Sequence, residues 1–275
     1  MSDRFSISNI AWDRFDDSRV FALLHRYGIT GIEVAPGKIW NDLLSATDQD
    51  VKRIRDFFSG EGFGVPALQA ILFGRPELQV FDRRTHQSFL AYLRHIAQIA
   101  EGLGCHILIF GAPKNRRRGE LCWKDAESIA IDFFHQAGEL VQAYGCTIGL
   151  EANPADYQCD FLTNTADLYD FIRKVDCKGV KLHFDTGSVL LNGNDILPVL
   201  KRAGLPIHCH ISAPRLENPV DFACDLHTPF RYLKTIGYEG TFSIEMKKMD
   251  PELPNLERAL KYVKEALDAA EIGLL

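Results

Sequence analysis

The sequence has no CxxC pair: its seven cysteines, at 105, 122, 146, 159, 177, 209 and 224, are scattered and odd in number. That excludes a zinc ribbon and a fully paired disulfide framework, and it fits a reducing, cytoplasmic setting. A basic surplus is also missing. Lys and Arg total 31 against 37 Asp and Glu, a net charge of −6, which argues against a nucleic-acid partner. No stretch approaches the roughly 18 apolar residues of a membrane helix. The opening segment, MSDRFSISNIAW, passes into an alternating run without an apolar signal core. These absences predict a soluble, unexported protein with no membrane contact. Linkers, low-complexity tracts and composition breaks are lacking too, so residues 1–275 read as one domain.

What is present is an ordinary globular balance, 46% hydrophobic and 25% charged, on a chain long enough for one large α/β domain with a deep core. Strand-like runs and helical spacings alternate along it. Phe5–Trp12 reads as a first strand and Asp16–Tyr27 as its helix, stopped by Gly28. Thr30–Ala35 is the second strand, broken by Pro36 and Gly37, and Asp48–Phe58 its helix. Gly60, Gly62 and Gly64 follow that helix, which makes them a helix stop and turn and not a phosphate loop. Val65–Phe73 is the third strand, and Arg83–Leu103 its helix, closed by Gly104. Ile107–Phe110 is the fourth, followed by a helix over Trp123–Tyr144. The last four strands are Thr147–Glu151, Val180–Phe184, Ile207–Ile211 and Thr241–Glu245. Their helices span Asn164–Val175, Ile196–Ala203, Phe222–Ile236 and Pro254–Ala270. Eight near-equal units favour an α/β fold of the (β/α)8 TIM barrel type over an open doubly wound sheet.

Four of these strands end in a side chain able to bind a metal. They are Glu151 in TIGLEANP, Asp185 in VKLHFDTGS, His210 in PIHCHISAP and Glu245 in TFSIEMK, at intervals of 34, 25 and 35 residues. A barrel of about 250 residues spends roughly 31 on each unit, so four successive strands deliver one ligand each to the rim that carries the active site. A lone acid there is often a helix cap; the shared position is what argues for convergence. Three carboxylates packed together repel, and a divalent cation holds them ionised. Three oxygen donors and one imidazole suit Mn²⁺ or Mg²⁺, and they also admit Co²⁺, Fe²⁺ or Zn²⁺. Two residues earlier on the same side stand Gly149, His183, His208 and Ser243, while Cys209 points away. His183 and His208 are candidates to orient the ligands, with buried packing as the alternative.

The order Glu, Asp, His, Glu within LEANP, HFDTG, HCHIS and SIEMK resembles the xylose isomerase-like TIM barrel superfamily, in particular its sugar phosphate isomerase/epimerase branch. The resemblance covers nearly the whole chain, and ANPADYQCDF after Glu151 is similar to a subgroup described only as sugar phosphate isomerases/epimerases. It implies a metal-dependent enzyme acting on a sugar or sugar phosphate. In the ketose 3-epimerases of the superfamily the first and last ligands are also the acid/base pair, which assigns that role to Glu151 and Glu245. Arg215 stands close to the family's substrate-binding arginine, one position early. Ser188 replaces a histidine three residues after the aspartate, and Tyr157 stands near the place of a glutamate in the strand-five loop; both departures argue against a free ketohexose. Members are often dimers or tetramers, so the resemblance admits a homo-oligomer.

Lys114, Arg116, Arg117 and Arg118 follow the fourth strand at the same rim, either as an anchor for phosphate or carboxylate or as a solvated charge run. Gln69 and Trp12 are candidate pocket walls, with packing as the alternative. The chemistry follows from the ligand set. A carbonyl and neighbouring hydroxyl held on a divalent cation acidify the C–H between them and stabilise the enediolate, and carboxylates on opposite faces can remove and return the proton. Return to the other face epimerises, return to the adjacent carbon isomerises, and loss of a β-hydroxyl dehydrates. An isomerase or epimerase is therefore the leading expectation. The alternatives are a metal-dependent dehydratase or lyase of an oxidised sugar or cyclitol, a non-catalytic sugar-binding barrel, and the superfamily's DNA-repair endonucleases, which need more histidines than this rim offers.

Overall fold

A computed structural model of the chain describes residues 5–222 and 224–271. Residues 1–4 and 272–275 of the expected 1–275 domain, and residue 223 of the expected Phe222–Ile236 helix, lie outside the described residues. Among the described residues seven strands form one parallel sheet: β1 (Phe5–Ser8), β2 (Gly31–Glu33), β3 (Ile107–Phe110), β4 (Thr147–Leu150), β5 (Val180–Asp185), β6 (His208–Ile211) and β7 (Phe242–Ile244). Their spatial order is β2-β1-β7-β6-β5-β4-β3. The gap between β2 and β3 is bridged by residues 64–69. Gly64 and Leu68 make parallel bridges to Gly31 and Val34, and Leu68 makes another to Leu108. The ring therefore closes as a TIM barrel.

The expected third strand, Val65–Phe73, is corrected to this bridging segment, and its chemistry explains why no ladder forms. Pro66 has no N–H to donate, and Ala70, at φ 50°, turns the chain out of extended conformation. The later expected strands thus become β3 to β7. The helices are α1 (Asp17–Arg26), α2 (Asp48–Gly60), α3 (His86–Leu103), α4 (Trp123–Gln142), α5 (Thr165–Val175), α6 (Thr186–Leu191), α7 (Ile196–Ala203), α8 (His227–Thr235) and α9 (Glu252–Glu271). Reciprocal bonds between Thr47 and Asp50 cap α2, and Gly104, at φ 73°, ends α3. Two helices differ from expectation. The Phe222–Ile236 segment is divided, with a 3₁₀ turn over Pro219–Phe222 and α8 beginning only at His227. The short α6 has no counterpart among the expected helices; it starts directly on Asp185, whose side chain caps it. Among the described residues no helix is long and apolar enough to cross a membrane.

The inward faces of the strands are set by register. Ser8 lies beside Glu33, His183 beside His208, and Asp185 beside His210, which in turn neighbours Ser243. The outward faces pack on the helices, with Leu182, Phe184, Cys209, Phe242 and Ile244 all buried. At one point helix and sheet touch through backbone alone. A Cβ on Gly179 would lie 2.1 Å from the Gly138 carbonyl oxygen, and one on Gly138 would lie 2.6 Å from Cys177 Sγ. This contact sets α4 against the start of β5, the strand that carries His183 and Asp185. Gly179→Ala forces the two apart and is expected to destabilise the fold by about 1–3 kcal/mol, measured by chemical denaturation; an unchanged midpoint contradicts the packing described.

Candidate metal centre and active site

Glu151, Asp185, His210 and Glu245 meet at the C-terminal rim. One donor atom each from Asp185, His210 and Glu245 lies within 4.8 Å of the others, and the same holds for Glu151, His183 and His210. Glu151 and Glu245 each sit one residue beyond their strands, held in the ladder by Glu151 N–H to the Phe110 carbonyl (3.2 Å) and Glu245 N–H to that of Ile211 (3.1 Å). Gly111 makes room for the first, since a Cβ there would stand 2.9 Å from Glu151 Oε2.

The four side chains are held unequally. Asp185 Oδ1 accepts from Gly187 N (2.6 Å) and Ser188 N (3.3 Å), and from the Ser212 hydroxyl, while Oδ2 accepts from Ser188 Oγ (3.4 Å). The D-T-G run fits this because a Cβ on Gly187 would lie 2.5 Å from Ser212 Oγ and 2.8 Å from the Ala213 carbonyl oxygen. Among the described residues Glu151 accepts only from Asn153 Nδ2 (3.2 Å). Glu245 Oε2 faces His210 Nδ1 at 3.1 Å, without the alignment of a hydrogen bond.

Beneath them lies Glu33, wholly buried, with His208 Nε2 at 2.6 Å on one oxygen and His210 Nε2 at 2.7 Å on the other. Glu33 was not among the residues marked by the sequence. Its only signal there is period-two alternation, which turns Gly31 and Glu33 to the same face of TGIEVA. His208 thus orients Glu33, and Glu33 orients His210. His183 makes no hydrogen bond through either nitrogen; its ring meets that of His210 edge-on at 4.2 Å and stacks on His208 at 5.4 Å.

Burial and mutual repulsion dominate the electrostatics. Burial, then the charges of Asp185 and Glu245, push the Glu151 carboxyl well above its ordinary range. Burial raises that of Glu245, although His210 opposes the rise. Burial opposes charge on Glu33 as well, yet His210 and His208 outweigh it and hold its carboxyl at about 2. His210 is the converse: burial disfavours its proton, and Glu33 and Glu245 draw it well above the usual histidine range. Burial and the two neighbouring rings keep His183 well below that range.

These observations test the fit of a cation. With the Nε2 proton committed to Glu33, a neutral His210 leaves an unprotonated Nδ1 within 3.1 Å of a Glu245 carboxylate oxygen, a contact between two bases that a proton or a metal relieves. Glu245 faces that nitrogen, donor atoms of Asp185 and Glu151 each come within 4.8 Å of one of His210, and among the described residues no ammonium or guanidinium is hydrogen-bonded to the three carboxylates, which make a hard donor set for one divalent cation. The residues fit the group.

Above the centre opens a cavity of about 780 Å³ whose lining includes Gln69, Lys114, Glu151, Asp185, Arg215 and Glu245. Gln69 is fixed by its Nε2 donating to Ser8 Oγ (2.6 Å). Tyr157 also lines the space, and its hydroxyl accepts from Arg215 N (2.8 Å). Trp12 stands apart: it is buried, donates from Nε1 to Asp17 Oδ1 (2.8 Å), and borders a separate cleft of about 10 Å³ with Asn9 and Lys38. That cleft has room for about one water.

The sequence pattern of a family described as xylose isomerase-like TIM barrel matches residues 21–266. No match is found among curated protein sequences. Among solved structures, apo 3-keto-D-glucoside 4-epimerase from E. coli superposes with a TM-score of 0.77 at 14% identity, over 96% of this chain and 100% of its own. An L-ribulose 3-epimerase gives 0.78 at 16% identity, over 98% and 96%. The IolI protein with a bound zinc atom gives 0.71 at 17%, over 97% and 98%. At these identities the likeness establishes the fold alone.

Glu33→Gln is expected to cost the metal-free protein on the order of 3 kcal/mol, because two histidines lose a shared buried countercharge. The sign with pH follows from the depressed carboxyl. Its stabilisation is complete above the ordinary value of 4.5 and is lost as pH falls toward about 2. Urea titrations across that window should show parent and variant converging in acid; a constant gap contradicts the assignment.

Proposed function

Since the chain belongs to the xylose isomerase-like TIM barrel family, we propose that it is a divalent-metal-dependent isomerase or epimerase of a sugar or sugar phosphate. The observation that carries this reading is the convergence of Glu151, Asp185 and Glu245 on His210 at the floor of a cavity open to a small molecule. Glu151, Asp185, His210 through Nδ1, and Glu245 would hold the ion. Mn²⁺ or Mg²⁺ suits three carboxylates best, and the imidazole admits Co²⁺, Fe²⁺ or Zn²⁺; the zinc of the IolI structure lies within that range. When bound, such an ion polarises a sugar carbonyl and stabilises the charge left by proton removal.

The chain's own side chains divide the remaining work. Asp185, with both oxygens engaged by hydrogen bonds from α6 and Ser212, is fixed and serves to hold. Glu151 has one weak donor and Glu245 faces only a histidine, which leaves both free to exchange protons. Burial that raises their carboxyls favours that exchange at a higher pH than ordinary carboxylates allow. We assign them as the acid/base pair, one removing a proton beside the carbonyl and the other returning it. Gln69 and Arg215 bound the cavity and are assigned to substrate hydroxyls. Lys114 and Arg215 line the same space with no carboxylate partner among the described residues, which supports a substrate carrying phosphate or carboxylate.

Two experiments test this. In deuterated water, a screen of ketoses, aldoses and their phosphates should reveal one substrate that takes up deuterium at a single carbon. Glu151→Gln and Glu245→Gln should each slow that uptake by about 10²- to 10⁴-fold. Undiminished exchange in either variant removes it from the pair, and a conjugated enone absorbance in place of exchange identifies dehydration instead. Lys114→Ala should raise KM for a phosphorylated substrate roughly tenfold and leave kcat, and any unphosphorylated substrate, unaffected; an equal effect on both substrates excludes a phosphate contact.

A further inference from the structure

The cavity is larger than one sugar ring requires. Its 780 Å³ or so lies toward the upper end of the range that holds a drug-sized ligand, and a single ring seated on the carboxylates fills a minor part of it. Its lining comes from two sources. The acids, Lys114 and Arg215 belong to the rim of β3 to β7, whereas residues 69–76, where the bridging segment turns out of the barrel, line it without a break. Beyond Gln69 that loop presents apolar groups, Ile71, Leu72, Phe73 and Pro76 among them. Its one charge, Arg75, is engaged with Glu77 (3.8 Å) and lies 5.2 Å over the Tyr92 ring.

This loop is firmly anchored. The Tyr92 hydroxyl, on α3, donates to the Ile71 carbonyl (2.7 Å), and Asn115 Nδ2 donates to the Arg75 and Leu78 carbonyls, both at 2.7 Å. Between these anchors the chain turns through left-handed backbone at Ala70 (φ 50°) and Gly74 (φ 76°). Phe73 N to the Ala70 carbonyl (3.0 Å) and Arg75 N to that of Leu72 (3.1 Å) close the turn. A left-handed alanine costs conformational energy, and the turn that contains it leaves Phe73 85% exposed at the cavity while Ile71 and Leu72 are buried. An exposed phenylalanine elsewhere on a surface needs no explanation. One held outward by a pinned turn, in the lining of the cavity that Glu151 and Glu245 also line, is placed to meet whatever reaches those carboxylates.

We propose that the substrate is a sugar carrying a second ring, aryl or glycosyl, whose apolar face packs on Phe73 while the first ring lies on the carboxylates. The inference rests on the isomerase or epimerase reading above and names its substrate class. Both kinds of ring offer what Phe73 can use, a flat face of C–H or π surface that gains by leaving water against an aromatic ring. Proton exchange still requires a carbonyl beside the labile carbon. A second ring at the anomeric carbon therefore demands a ketone elsewhere on the first ring, and a second ring at the far end leaves the carbonyl end free.

The test titrates matched pairs of methyl and 4-nitrophenyl glycosides of glucose, galactose, mannose and xylose into the Mg²⁺-loaded protein, with cellobiose and lactose as glycosyl probes and 4-nitrophenol alone as control. Binding is followed by saturation-transfer NMR. In at least one series the two-ring ligand should bind about tenfold tighter than its methyl partner, the gain expected of one aromatic contact. Preference for the nitrophenyl member alone identifies an aryl second ring, and preference for the disaccharides a glycosyl one; either supports the proposal. Phe73→Ala, a change at an exposed side chain, should melt with the parent, bring two-ring ligands to the level of the methyl glycosides and leave the latter unchanged. Equal binding of one-ring and two-ring ligands by the parent, binding of none, or 4-nitrophenol binding as tightly as its glycosides overturns the proposal. So does a preference undiminished in Phe73→Ala; if that variant also lowers the oligomeric state in sedimentation velocity, Phe73 belongs to a contact between copies instead. Preference lost while deuterium uptake by a one-ring sugar persists overturns this inference alone. Preference kept while no keto sugar, of one ring or two, takes up deuterium overturns the isomerase or epimerase reading alone.

Discussion

The structure depends on how negative charge is kept inside one end of a barrel. Glu33, Asp185 and Glu245 are buried and Glu151 is half-buried, all at the same rim. In water four such groups would separate; here the strands that carry them are locked in a parallel ring, and separation would cost the ring. Each carboxylate must therefore be compensated where it stands. Glu33 has two imidazoles, Asp185 the open end of α6 and a serine, and Glu151 a single amide. Among the described residues Glu245 has only His210, which is shared with Glu33. The compensation thins out toward the cavity, and that gradient suits the centre to a cation.

The same gradient separates firmly bonded groups from sparsely bonded ones. Below the rim, Glu33 fixes the His210 ring from beneath, and Asp185 is held by the turn it caps. Above, Glu151 and Glu245 keep few bonds and face the open space. Chemistry that moves protons needs this division. A site in which every carboxylate was capped like Asp185 would hold an ion and do nothing more; one in which none was capped would have no defined geometry.

Much of this was legible in the sequence because it depends on local spacing. The unit length of a barrel and the placement of Glu151, Asp185, His210 and Glu245 at strand ends predicted their convergence. Long-range partners were not legible. Glu33 lies 175 residues from His208, and a single acid in an alternating strand carries no sign of what it meets across the ring. Burial of Arg116 was hidden too, since four cations in KNRRR look like a solvated run until a turn buries one of them. Val65–Phe73 looked like a strand because Val65, Ala67, Leu68, Ile71 and Leu72 do face the core, though Phe73 is exposed; Pro66 and the turn at Ala70 reveal that hydrophobicity and ladder pairing part there. Trp12 next to a strand end suggested a pocket wall, whereas its indole is taken by Asp17 one helix turn on.

The central claim is that four side chains from four strands close on one ion. An anomalous-difference map from crystals soaked in Mn²⁺ tests it most directly. The account predicts one strong peak roughly 2.0–2.4 Å from Glu151, Asp185, Glu245 and Nδ1 of His210, with Nε2 of His210 still on Glu33. A map without a peak among these residues, or with its peak on the Glu33 side of the His210 ring, would contradict it.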